Sequence, residues 1–319
     1  MFFKNISFCF LLIAVSSLFS CSVKSDKTVT KELFVMDTVC SVKADKKAAD
    51  LISDSLKLLD NTLDSCGENG EIHKLGEMRS LACSDYLCDF VRKSLGISAE
   101  YGEEVTISGG AATLLWKDAQ EKNILPDEKN ITDALGNIGD DLILLGDNNE
   151  ISLKNGCKLD SGAFAKGYAL DVCKEILDKQ NSQYAVVSMT SSILLYGEKT
   201  NGENFKVKIR NPDGEGFLGT VETPACFLST SGGYERFFTI NNTDYCHIID
   251  LSTGFPTTSD LTSVTVFCDS GILSDYLSTK IFLEGSENIG NYLDSQDFKV
   301  VAFDKNGNSY ISGGVNFSR

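Results

Sequence analysis

Apolar residues fall at helical spacing in four stretches of the chain. Ala48, Ile52, Leu56, Leu59 and Leu63 form one stripe. Leu87, Phe90, Val91 and Leu95 form a second behind Ser84, a residue suited to capping a helix start. A third joins Ala169, Val172, Cys173, Ile176 and Leu177, and a fourth joins Leu273, Leu277 and Ile281. The spacing predicts helices over 48–63, 84–95, 165–177 and 272–283, the last with Asp275 on a polar face opposite its leucines. Between them lie runs rich in β-branched and aromatic residues: LFVMDTVCSV, DLILLG, YAVVSM, SILLYG, FKVKIR, SVTVFC and FKVVAF. These read as strands, and Asn306-Gly307 after the last suits a hairpin turn. Helices and strands mix without strict alternation. The fold class is therefore α+β, with antiparallel sheet and packed helices. No GxGxxG follows a strand, which leaves a Rossmann dinucleotide site without support.

Composition narrows the partners. The 319 residues are 42% hydrophobic and 23% charged, ordinary for a globular chain, and carry a net charge of −16. Such a balance argues against nucleic acid or an anionic membrane surface, which need clustered Lys and Arg. A phosphorylated ligand would have to be held by helix N-termini, a few lysines or a metal ion.

The first residues do not belong to the folded part. MFFKNISFCFLLIAVSSLFSC has an early Lys4 and an apolar core from Phe8 to Val15, too short for a membrane span of ~20 residues. Leu18-Phe19-Ser20-Cys21 resembles a bacterial lipobox, with lipid modification at Cys21. The plainer alternative is a cleaved signal with an incidental cysteine. The expected organisation is a lipoprotein signal peptide over 1–20, a polar tether over 21–32 and one folded domain over 33–319. An exported, membrane-anchored protein follows from it. Nine cysteines lie beyond Cys21, an odd number with no zinc-ligand spacing, and most sit in apolar runs as small buried hydrophobes.

Two stretches carry chemistry. In KLDSGAFAKGYALDVCKEIL, Lys158 to Leu177, Asp160 and Lys166 flank a turn of small residues at a helix start. Such a turn lets backbone approach a phosphate or metal, and the helix N-terminus adds partial positive charge. In the second, Tyr245 to Gly285, His247 precedes Asp250 and a Thr-Gly-Phe-Pro turn, and a helix beyond carries Asp275 and Thr279 four apart. That carboxylate and hydroxyl can share one hard cation such as Mg²⁺, though the same pair also suits a solvated helix face. His247 suits a general base near neutral pH, and equally a packed imidazole in a core.

Together the pieces resemble the ApbE family of flavin transferases, enzymes that cut FAD and attach FMN through its phosphate to a threonine of a target protein. VMDTVC, YGEEVTISGGAATLLW, LDSGAFAKGYALD, FKVKIRNP, STSGGYERFF, HIIDLSTGFP and SDYLSTKIFLEG carry the resemblance over residues 30 to 315. It implies an FAD cleft between two lobes. In that cleft Asp160 and Met36 would contact the flavin nucleotide, and Lys166 would neutralise charge at the pyrophosphate. The Ala163 carbonyl, Asp275 and Thr279 would ligate Mg²⁺, with Ser278 and Ile249 beside the FAD. Trp116, Lys117 and Asp118 would border the adenine half. His247 would take the proton of the incoming threonine. The implied partner is a flavoprotein subunit bearing a Ser/Thr-Gly-Ala-Thr type acceptor motif.

The chain departs from the family pattern in places. Thr190, Ser191 and Ser192 stand where Gly-Gly-Asn or Gly-Gly-Asp is usual, Asp37 replaces a glycine, and Cys66 lies where a tyrosine is missing. These changes bear on the substrate side of the cleft more than on the metal residues. Three activities stay open on sequence: transfer of FMN to protein, Mg²⁺-dependent hydrolysis of FAD to FMN and AMP, and FAD binding without turnover.

Overall fold

The computed structural model describes residues 28–212, 214–233 and 237–319. Cys21 and the signal segment over 1–20 lie outside the described residues, as do Tyr234, Glu235 and Arg236 of the STSGGYERFF motif. The chain opens with a hairpin of β1 (Thr28–Val35) and β2 (Thr38–Asp45), then α1 (Lys46–Leu63). Next come α2 (Glu71–Met78), β3 (Ser80–Ala82), α3 (Asp85–Tyr101), α4 (Gly110–Lys122) and α5 (Glu128–Leu135). Short strands β4 (Ile143–Leu145) and β5 (Glu150–Leu153) lead to α6 (Ala165–Gln180). Then follow β6 (Tyr184–Met189), β7 (Ser192–Gly197), β8 (Phe205–Arg210), β9 (Phe217–Thr223) and β10 (Cys226–Ser231). Two ribbons pair β11 (Phe237–Ile240) with β12 (Thr243–Cys246) and β13 (Ile249–Asp250) with β14 (Phe255–Pro256). β15 (Leu261–Cys268), α7 (Gly271–Glu284), α8 (Gly290–Leu293), β16 (Phe298–Asp304), β17 (Ser309–Ile311) and β18 (Asn316–Ser318) complete the chain.

An eight-stranded sheet in the order β1-β2-β6-β7-β10-β15-β16-β17 is antiparallel at every pairing. Its central strands are buried on both faces, which is why they read as nearly unbroken apolar runs. Along β15 and β16, Val264, Val266, Val300 and Ala302 face the main core with α1, α6 and α7. Phe267, Val301 and Phe303 face the opposite way, onto Phe205, Ile209 and Val221 of the small sheet β18-β9-β8. A third, smaller core holds Trp116, Ala112 and Ala119 of α4 against Phe238, Ile240 and Ile249 of the two ribbons. The Trp116 ring meets Phe238, Tyr245 and Phe255, and its Nε1 donates to the Gly254 carbonyl at 2.7 Å.

Several local expectations need correction. LFVMDTVCSV is two strands: Met36 and Asp37 both take positive φ (51° and 55°) and make a two-residue hairpin turn without glycine. Residues 28–32, expected as tether, form the start of β1, whose Lys31 and Glu32 are tolerated because it is an edge strand. α7 has no polar face. Asp275 is buried at 4% exposure, as are Ser274, Ser278 and Lys280, while Leu273 is only half-buried. α4 was not legible in the apolar pattern because it opens on Gly109-Gly110 and buries only a narrow stripe. A Cβ on Gly110 would lie 2.6 Å from the Lys158 carbonyl, so the glycine lets α4 start against the Lys158–Leu159 backbone. The nine described cysteines are all free thiols, Cys66 exposed and most of the others buried.

Candidate active site

A cleft of about 340 Å³ opens between the main body and the small lobe of α4 and the two ribbons. From the main body come Asp160, Ala163 and Lys166 at the start of α6, and Asp275 and Thr279 on α7. The ribbon side supplies His247 and Ile249. His247 is exposed, which removes the packed-imidazole reading.

Asp275 reaches this cleft because α6 and α7 cross at two glycines. A Cβ on Gly167 would lie 2.1 Å from the Gly271 carbonyl, and one on Gly271 would lie 2.3 Å from the Gly167 carbonyl. Side chains at either position would push the helices apart. Asp171, one turn further along α6, accepts the amides of Gly271 and Ile272 at 2.7 and 2.9 Å and so caps the start of α7. Burial pushes the Asp171 carboxyl up from its ordinary value, against the pull of those two amides.

At the crossing, Asp275 Oδ2 accepts the Gly167 amide at 3.0 Å, and Oδ1 accepts the Ser192 hydroxyl at 3.1 Å. Lys166 Nζ stands 3.5 Å from Oδ1. The Gly167 amide belongs to the first turn of α6, where amides have no carbonyl within the helix to bond, and Asp275 satisfies it. Thr279 donates its hydroxyl proton to the Asp275 carbonyl at 3.2 Å, and its oxygen also lies 3.1 Å from the Ser231 hydroxyl. Ala163, Asp275 and Thr279 line the same cleft, and a backbone carbonyl, a carboxylate and a hydroxyl are an all-oxygen donor set that fits a hard cation keeping most of its own waters. Among the described residues there is no cluster of three or more His, Cys, Asp or Glu side chains suited to a metal.

Asp160 accepts the Gly162 amide at 2.8 Å and is anchored through its own amide to the Ile107 carbonyl at 2.7 Å. Burial pushes its carboxyl up, opposed by that amide, the Thr113 hydroxyl and the Lys166 ammonium.

The remaining expected residues lie elsewhere. Met36 is half-buried in the hairpin turn and packs on the main core, with its amide bonded to Asp60 at 2.7 Å; its neighbours Asp37 and Thr38 line the cleft instead. Ser278 is fully buried behind the wall and bonds Ser231 at 2.9 Å and the Asp275 carbonyl. Trp116 is enclosed in the small core. Lys117 and Asp118 line a separate depression with Cys66 and His73, and Asp118 pairs with Lys122 at 2.7 Å. Three further residues belong to the site: Gly167, Asp171 and Ser192. Gly167 left a trace in the sequence, a glycine inside an otherwise strong helix, whereas nothing local marks Ser192 as a partner of Asp275.

The model of the ApbE family matches residues 36–303. An FAD:protein FMN transferase of Treponema pallidum (strain Nichols) is 32% identical over 195 residues, 56% of this chain and 54% of that protein. One from Escherichia coli (strain K12) is 23% identical over 279 residues, 83% of this chain and 80% of that protein. The chain spans about half the length of the relatives from Treponema pallidum and Klebsiella pneumoniae (strain 342) that it matches. The crystal structure of the ApbE protein from Thermotoga maritima superposes with a TM-score of 0.80 at 22% identity, covering 90% of this chain and 97% of that one. Flavin transferase ApbE from Vibrio cholerae gives 0.76 at 20%, covering 90% and 97%. At these identities the likeness speaks to the fold.

Proposed function

This chain belongs to the ApbE family, and from that premise we propose that it transfers FMN from FAD to a threonine hydroxyl of a target flavoprotein, releasing AMP. The observation that carries the reading is that Ala163, Lys166, Asp275 and Thr279 line one cleft together with His247, with Lys166 3.5 Å from the Asp275 carboxylate. Ala163, Asp275 and Thr279 would hold Mg²⁺, which when bound supplies positive charge to the pyrophosphate. Lys166 lies beside Asp275 and offers a second cation to the same phosphates. The first amides of α6 add the partial positive charge of a helix start. His247, exposed on the ribbon side, accepts the proton of the threonine hydroxyl as that oxygen bonds to the FMN phosphorus. The bond from phosphorus to the AMP oxygen breaks in the same displacement. Most of the rate enhancement then rests on position and charge.

The partners and location follow as part of this reading. The acceptor is a flavoprotein subunit with a Ser/Thr-Gly-Ala-Thr type segment, and Cys21 carries a lipid that anchors the exported chain to a membrane. Incubating a peptide of that type with the protein, FAD and Mg²⁺ and weighing it by mass spectrometry tests the activity. The expected gain is the mass of FMN less water. FMN and AMP with no adduct would assign hydrolysis instead, and intact FAD retained by the protein would assign a carrier.

A further inference from the structure

The loop Thr190-Ser191 joins β6 to β7 as a two-residue hairpin closed by the Met189–Ser192 pair. Favoured turns of this length demand positive φ at their first position, where glycine is the usual occupant. Thr190 sits there at φ 57°. For a β-branched residue this is an unfavourable conformation, held only where the surroundings compensate it.

The compensation is visible in its hydroxyl. Thr190 Oγ1 lies 2.6 Å from Oγ1 of Thr38, in the neighbouring hairpin, and also reaches the Val39 carbonyl at 3.5 Å. The backbone ladder between β2 and β6 ends at Ser41 and Ser188, short of both turns. Beyond it, these side-chain bonds link the two hairpin ends. Asp37, Thr38, Thr190 and Ser191 all line the cleft. The next residue, Ser192, donates to Asp275.

We propose that Thr38 and Thr190 form a positioning pair that fixes the cleft wall for the flavin nucleotide and keeps Ser192 aligned on Asp275. The inference rests on the flavin-transfer reading above. The strained backbone is retained because only a side chain at this position carries the hydroxyl across to Thr38. A glycine would relax the backbone and release the wall.

Three variants test the pair, each measured for FAD affinity by titration in Mg²⁺ and for melting temperature. Thr38→Val removes one hydroxyl at nearly constant shape, and Thr190→Gly removes the other together with the strain. Thr190→Ser keeps the hydroxyl. The expected result is a loss of FAD affinity of about tenfold in Thr38→Val and Thr190→Gly, without a lower melting temperature in Thr190→Gly. Thr190→Ser should hold within about twofold of the parent protein. A merely structural turn would reverse this pattern, with affinity following stability. Thr38→Val binding as tightly as the parent, or Thr190→Ser as weakly as Thr190→Gly, would overturn the positioning pair while leaving flavin transfer standing. A parent protein that binds no FAD would overturn both.

Discussion

At the scale of single residues, His247 and Asp275 divide the site into a part that can be removed quietly and a part that cannot. His247 is exposed, so His247→Asn should leave the melting temperature nearly unchanged, as surface substitutions do. If it takes the threonine proton, transfer should fall ~10²–10⁴-fold with FAD affinity preserved. Single-turnover transfer and equilibrium titration on the same variant measure the two separately, and full transfer activity would remove it from the mechanism. Asp275 differs because it is structural as well as chemical. Asp275→Ala strands the Gly167 amide and the Ser192 hydroxyl in the interior, at a cost of about 1–3 kcal/mol for each buried group left unpaired. Asp275→Asn keeps an acceptor for one of them. The alanine variant should therefore melt lower than the asparagine variant, and if Asp275 holds Mg²⁺ as proposed, both should lose Mg²⁺-dependent turnover. Equal melting temperatures would contradict this role.

The helix crossing and the hairpins belong to the scale of elements. Gly167→Ala places a methyl group where the Gly271 carbonyl lies, and both contacts involve backbone that can yield only by moving a helix. Overpacking of this kind costs about 1–3 kcal/mol, and here the shift also draws Asp275 away from the α6 amides. The expected outcome is a lower urea midpoint together with weaker Mg²⁺ dependence; an unchanged midpoint would show that the crossing has slack. Four of the eight described helices, α1, α3, α6 and α7, were legible in the sequence. α1 and α3 each bury one stripe, and their apolar spacing announced them; α6 showed the same spacing, although its first half is buried nearly all round. α7 was found but misread: it is enclosed on all sides, so its serines and Asp275 face partners where the spacing suggested solvent. The Met36-Asp37 turn was invisible because methionine is not a turn former and no glycine accompanies Asp37 to mark the two-residue hairpin. The site's side chains were legible through motif resemblance, but the contacts that aim them, from Ser192 and Gly167 to Asp275, join segments far apart in the chain.

For the whole molecule, the buried thiols set a limit at alkaline pH. Burial pushes Cys40 and Cys268 from an ordinary 9.0 to about 12, and Cys157 to about 11. Unfolded, these thiols ionise near 9; folded, they hold their protons to higher pH. Their contribution is thus complete below pH 9 and is lost as pH rises from there toward 12. Melting temperature in reductant should fall steadily from about pH 8.5 to about pH 10.5, and Cys40→Ala, though less stable at neutrality, should show a shallower slope. A flat profile would mean that the buried thiols are already solvated. The strand order carries one more consequence, for the moment of synthesis. During synthesis the β1–β2 hairpin emerges before every other strand of its sheet, yet it sits at the sheet edge beside β6, which follows only after α1 to α6. The nascent hairpin must wait with its inner edge unpaired, a sticky surface that invites holding by a chaperone until the middle of the chain emerges.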